Sequence, residues 1–223
     1  MSLGGIKRFL IPTFDSDIRV LLRLRGAQAA RVQERSRELG QGMAGFAKGP
    51  ITDQGKAISF VHEVGRHMGL SADDLGKIVS KIEFGQRHVS SFNGRKVLRL
   101  RHTLGQPLRL GGGAYNEFRA FIEVAHELNH ALAYHRYLAR GGNPDKYWRT
   151  FLNRNRAIDD RGRTIQYFEE EIRIENAAAN LATSVSQEVL MHADRAGDVR
   201  RLLAEALRES DDYIIEMKRI LGQ

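Results

Sequence analysis

The chain has no cysteine in 223 residues. That excludes a disulfide framework, a thiolate zinc site and a thiol nucleophile, and any metal must be held by histidine and carboxylate. No apolar run reaches the roughly 18 residues a membrane-spanning helix needs, so no span is expected. The opening Met1-Ser-Leu-Gly-Gly-Ile-Lys-Arg lacks the continuous apolar stretch of a signal peptide. The triple glycine at 111–113 is followed by neither a G-x-G-x-x-G pattern nor a Lys-Ser/Thr pair, which removes a phosphate loop. Aromatic residues are few, 8% of the chain, and do not interleave with the scattered arginines, so no platform for stacking bases is visible. The formal charge is +8, from 35 Lys and Arg against 27 acids. Without such a platform it reads as a soluble surface that favours acidic substrates, with nucleic acid not expected as a partner.

The apolar content of 42% and charged content of 28% are those of a globular protein with one substantial core. Within it, Phe121 to Tyr137 stands out because it contains His126-Glu127-Leu128-Asn129-His130. On a helix, positions four apart point the same way, so His126 and His130 can offer their imidazoles to one ion. Glu127, next to the first of them, then lies beside a water at that ion, where it can take and return a proton. Phe121, Ile122, Val124, Ala125, Leu128, Ala131, Leu132 and Leu138 frame these polar residues as a core helix would. The chain contains its own control: His62 and His67 are five apart in H-E-x-x-x-H. Their side chains diverge by about 140° on an ordinary helix.

A hydrolytic zinc site needs a third protein ligand. No third histidine follows at helical spacing, since Tyr134 occupies the position that would share the face and His135 turns away. A carboxylate on a second helix is therefore expected, and Gln166 to Ala182 provides an acidic cluster running into an alanine-rich helix. Glu171 and Glu175 are four apart. Spacing allows either to bind the metal while the other orients a ligand imidazole. Glu169 reads as part of a solvated face.

His126-Glu-Leu-Asn-His-Ala and Phe168-Glu-Glu-Glu-Ile-Arg173 together resemble the H-E-x-x-H and E-E-x-R segments of clostridial neurotoxin light chains. They also resemble zinc protease effectors that bacterial pathogens inject into host cells. The likeness covers about twenty residues. It implies a zincin-like metallopeptidase with Zn²⁺ held by His126, His130 and Glu171, Glu127 as general base, and Glu170 as an acid supporting a ligand. It implies a protein or peptide substrate and an effector or toxin domain that is secreted or injected. Asn129 stands where those families carry an apolar residue, and Ile174-Glu175-Asn176 where they carry a small residue and Gly, which keeps Glu175 open as the ligand. A protein-binding module on the same scaffold, without catalysis, is the alternative. In such folds a sheet edge beside the cleft pairs with an extended peptide.

The expected fold class is α+β and predominantly helical, with the metal helix beside a small sheet and a second, ligand-bearing helix. Residues 1–50 read as a basic helical arm and a glycine-rich linker, and 51–223 as the metallopeptidase domain. Thr52-Asp53 caps a helix to about Met68, and Ser71 to Asp74 caps a second over Leu75–Ile82. Lys96–Arg101 and Pro107–Leu110 read as two strands. The glycines at 111–113 fit either a substrate-contacting loop or a plain connector. Gly141-Gly142 closes the metal helix, Pro144 begins another, and residues 143–163 form a loop or short helix that can wall the cleft. The ligand-bearing helix is placed at Thr164–His192 and a last one at Asp198–Leu221. Tyr213, Arg208, Tyr167 and His192 are the residues considered for stabilising an oxyanion.

Overall fold

The computed structural model describes residues 49–85, 89–106, 114–152, 161–192 and 196–223, all within one unit spanning Gly49–Gln223. The basic helical arm expected at the start of the chain and the strand expected at Pro107–Leu110 lie outside the described residues.

Helix α1, Gln54–His67, starts where Asp53 Oδ1 accepts the Lys56 N–H at 2.8 Å. Helix α2, Ala72–Ile78, starts where Ser71 Oγ accepts the Asp74 N–H and donates to Asp74 Oδ2 in return. It ends earlier than its apolar pattern suggests. Val79 is already extended, and the next residues form strand β1, Lys81–Phe84, where a continuing helix was expected. Val79 is β-branched, which suits it to the extended backbone, and the parallel partner strand takes up the backbone groups of Lys81 to Phe84.

Strands β2, Ser91–Phe92, and β3, Val97–Leu100, complete a sheet of order β1-β3-β2, with β1 parallel and β2 antiparallel to β3. The alternating Lys96–Arg101 segment is thus the middle strand, not an edge. The edge nearest the metal helix is β2, too short to leave a period-two signal. Asn93 shapes the connection: its Oδ1 accepts the N–H groups of Arg95 and Val97, and Lys96 turns through φ 58°.

Helix α3, Glu117–Ala139, carries the H-E-x-x-H segment. Asn116 caps it with Oδ1 and uses its Nδ2 to bind the Leu202 carbonyl of the last helix at 2.8 Å. Gly141, at φ 79°, takes the chain out of the helix. Pro144 opens the short α4, Pro144–Tyr147, which runs into a π-helical turn over Trp148–Leu152. Tyr147 sits against Tyr134, Tyr137 and Phe151, at ring centroid distances of 5.2, 5.0 and 4.8 Å.

The long helices α5, Arg161–His192, and α6, Ala196–Leu221, pack on each other and on α3. Ala125 and Ala131 of α3 and Ala178 and Ala182 of α5 have no exposed surface, which lets these helices lie close. The result is a predominantly helical α+β domain with a small sheet on one side of α3. No helix among the described residues is long and apolar enough to cross a membrane.

Gly105 is held at φ 80°, and a Cβ there would lie 2.6 Å from the Tyr115 ring and 2.9 Å from the Asn116 carbonyl. Gly141 has a similar φ but open space around it. Gly105→Ala should therefore lower unfolding free energy by about 2–4 kcal/mol, and Gly141→Ala by about 1 kcal/mol. Denaturant titration of both variants measures the difference; equal losses would mean that the close approach at Gly105 carries no energy.

Candidate metal centre

Helix α3 turns Arg119, Ile122, Glu123, His126, Glu127 and His130 toward α5, α6 and the sheet. On α5, Glu171 and Glu175 share the opposing face. Glu171 is 4% exposed and lies between the imidazoles: its Oε2 is 3.3 Å from His126 Nε2 and its Oε1 3.2 Å from His130 Nε2. The two Nε2 atoms are 3.1 Å apart. Glu175 does something different. Its Oε2 meets His126 at the other nitrogen, Nδ1, at 2.7 Å. Geometry thus separates the two acids that spacing left equal: Glu171 faces the point where the imidazoles converge, and Glu175 holds the back of one of them.

His126, His130 and Glu171 form the group that could hold a metal ion among the described residues. A four-coordinate cation with bonds of about 2.0–2.2 Å separates its ligand atoms by roughly 3.3–3.5 Å. The three observed separations, 3.3, 3.2 and 3.1 Å, lie at or just below that range. Nitrogen and carboxylate donors without sulfur suit zinc and its first-row neighbours. Glu175 supplies the carboxylate–histidine support that fixes the ring and tautomer of a ligating imidazole. His130 has no such support among the described residues: its Nδ1 is buried without a hydrogen-bond partner, so packing alone sets its ring.

The titratable groups at this point act strongly on one another. Burial opposes charge on His126, but hydrogen bonds to Glu171 and Glu175 and their field overcome it, holding its pKa well above the ordinary imidazole value. Burial also opposes charge on Glu171, and the bonds from both imidazoles outweigh it, holding that carboxyl well below the usual range. The acids that face the two nitrogens of His126 thus favour its protonated form. Glu127 is buried, and desolvation raises its pKa against the pull of His126 and His130 and a hydrogen bond from the Phe92 N–H of β2. A carboxyl of raised basicity one residue from the ligand set suits proton transfer.

Tyr213, on α6, donates its hydroxyl to Glu171 Oε2 at 2.8 Å and stacks edge-on to His126 at 6.3 Å. Burial and the neighbouring Glu171 push its pKa up, so it remains a donor at neutral pH. Of the oxyanion candidates, Tyr213 meets Glu171 and His126 directly, and Tyr167, one turn before Glu171 on α5, lies near enough to act on Tyr213 electrostatically. Arg208 is exposed on another face of α6, Tyr167 packs edge-on to Phe168, and the His192 side chain lies outside what is described. Glu170 is also elsewhere: it pairs with Arg173 through two bonds of 2.7 and 2.6 Å along α5, so the supporting acid is Glu175 instead. The H-E-x-x-x-H control behaves as its spacing predicts, with His62 exposed and His67 against the Phe121 ring at 5.8 Å.

A cleft of about 160 Å³ opens beside the triad, lined from α3 by Ile122 and Glu127 and from α6 by Ala206, Ser210 and Tyr213. Two ion pairs flank it. Arg101, 2% exposed, binds Glu123, which also accepts from Ser90; Arg119 forms a two-pronged pair with Glu209 at 2.6 Å on each prong. None of residues 143–152 lines it, and 153–160 lie outside the described residues; the described walls come from α3, α6 and Val89 and Ser90 just before β2. The signal for α6 was present in the sequence: Ala206, Ser210 and Tyr213 recur at helical spacing.

No protein-family model matches the sequence, and neither a curated protein nor a solved structure does.

Metal content measured after dialysis should fall to zero for His126→Ala, His130→Ala and Glu171→Ala. Glu175→Gln should retain one ion with affinity lowered about 10–100-fold. A Glu175 variant that loses the ion while a Glu171 variant keeps it would reverse the two roles. Because Glu171 and Glu175 favour the protonated form of His126, ion binding at pH 7 should release protons. Calorimetry in buffers of different ionisation enthalpy counts them, and no buffer dependence would mean that His126 is neutral beforehand.

Proposed function

We propose that this chain is a zinc-dependent endopeptidase of zincin-like architecture, acting on protein or peptide substrates. The observation that carries the reading is the convergence of His126, His130 and Glu171 at separations suited to a tetrahedral ion, with Glu127 adjacent to it. Zinc is favoured by the donor set, two imidazoles and one carboxylate with a side left open toward the cleft.

Zinc held there by His126, His130 and Glu171 would supply Lewis acidity toward a peptide carbonyl and a water. Glu127 would take a proton from the attacking water and return it to the departing amine as the C–N bond breaks. Its desolvated carboxyl has the basicity for both transfers. Tyr213 can turn its hydroxyl from Glu171 toward the carbonyl oxygen as negative charge builds there. Glu175 keeps the His126 ring in the orientation that points Nε2 at the site. The cleft lets a peptide segment approach between α6 and the residues just before β2. The short H-E-x-x-H and E-E-x-R likeness further supports a bacterial effector or toxin domain that acts on proteins of another cell.

Digestion of a peptide library, with and without a chelator, tests the activity. Glu127→Gln should keep its zinc and lose activity by at least about 10²–10⁴-fold, while Tyr213→Phe should lower kcat about 10²-fold with KM little changed. Full activity in a zinc-loaded Glu127→Gln protein would remove Glu127 from the chemistry, and chelator-resistant cleavage would remove the metal.

A further inference from the structure

The two imidazoles of the triad are not held alike. Glu175 meets His126 Nδ1 at 2.7 Å, whereas His130 Nδ1 is buried with no hydrogen-bond partner among the described residues. A metal at Nε2 leaves the imidazole proton on Nδ1, so that atom must donate, and ligating histidines almost always donate it to an oxygen behind the ring. A buried N–H without an acceptor costs stability.

Two other buried side-chain atoms among the described residues lack a partner, Ser210 Oγ and Tyr147 Oη. Ser210 belongs to the cleft, which His126 lines and His130 and Tyr147 do not. Tyr147 is 4% exposed, and its ring packs at 5.2 Å on Tyr134, one turn beyond His130 on α3. Its hydroxyl lies near enough to Glu170, Arg173 and Glu171 of α5 for their charges to act on it. Glu171 is in turn 3.2 Å from His130 Nε2. The end of α4 thus brings an uncommitted phenol oxygen, able to accept as well as donate, to the turns of α3 and α5 that carry His130 and Glu171. The neighbouring phenol is spent elsewhere: Tyr134 donates to the Gly94 carbonyl at 3.0 Å.

Resting on the zinc reading but not on cleavage, we infer that Tyr147 is the positioning residue for His130, its hydroxyl accepting the Nδ1–H directly or through one water once the ion is bound. It is the counterpart on His130 of what Glu175 is on His126. A neutral phenol accepts less strongly than a carboxylate, so His126 is the more firmly held ligand.

Zinc affinity, measured by competition with a chromophoric chelator, and thermal unfolding of the metal-free protein are compared for the unaltered chain, Tyr147→Phe and Tyr134→Phe. Tyr147→Phe should bind zinc about tenfold more weakly. Its metal-free form should unfold at the same temperature as the unaltered chain or higher, because the hydroxyl it lacks has no partner there. Tyr134→Phe should do the reverse, keeping the affinity and lowering the unfolding temperature. In nitrogen-15 spectra of the zinc-loaded protein, the His130 Nδ1 proton should exchange with water faster in Tyr147→Phe than in the unaltered chain. An unchanged affinity in Tyr147→Phe, or a loss of affinity matched by a loss of metal-free stability, would overturn the role of Tyr147 and leave the metal reading standing. An unaltered chain that binds no zinc would remove both.

Discussion

One carboxylate facing two imidazoles in the interior sets the requirements for everything around it. Glu171 is almost fully buried, where an unpaired charge would be expensive. It is tolerable only because His126 and His130 approach it from α3 and Tyr213 donates to it from α6. That demands that three long helices meet at one level. The alanines at 125, 131, 178 and 182 let α3 and α5 come together, and the stripe at 206, 210 and 213 turns α6 toward the same point.

The tethers that fix this arrangement are polar and run between elements. Arg119 and Glu123 are four apart on α3, a spacing that favours pairing along the helix. Each bonds elsewhere instead: Arg119 reaches Glu209 on α6, and Glu123 reaches Arg101 at the end of β3. Asn116 adds a bond from the start of α3 to the Leu202 carbonyl. Exposed pairs contribute little to stability, but these are largely shielded and join different elements, so they fix where α6 and the sheet sit relative to the metal helix.

The helices were legible because each announces itself locally. Asp53 and Ser71 cap as their residue types predict, Gly141 ends α3, and the i,i+4 spacing of His126 and His130 fixes their common direction before any tertiary contact is known. The strands were less so. Lys81–Phe84 continues an apolar run begun in a helix, and only pairing with Val97–Leu100, a partner supplied by the fold, makes it a strand. Ser91–Phe92 is too short for any period to show. The division of labour between Glu171 and Glu175 was also beyond sequence reading, because both point the same way from α5 and only the position of α3 decides which meets Nε2 and which Nδ1. The off-helix partners of Arg119 and Glu123 were hidden for the opposite reason: local spacing offered a plausible pair that the fold does not use.

The whole account stands on the first coordination sphere at the meeting point of α3 and α5. X-ray absorption at the zinc edge, recorded on protein loaded with one equivalent, measures it directly. The account predicts a four-coordinate spectrum with two imidazoles and oxygen donors at about 2.0–2.2 Å and no sulfur. The imidazole signal should vanish in a His126→Ala, His130→Ala double variant. A six-coordinate, all-oxygen spectrum, or an unchanged one in that variant, would contradict it.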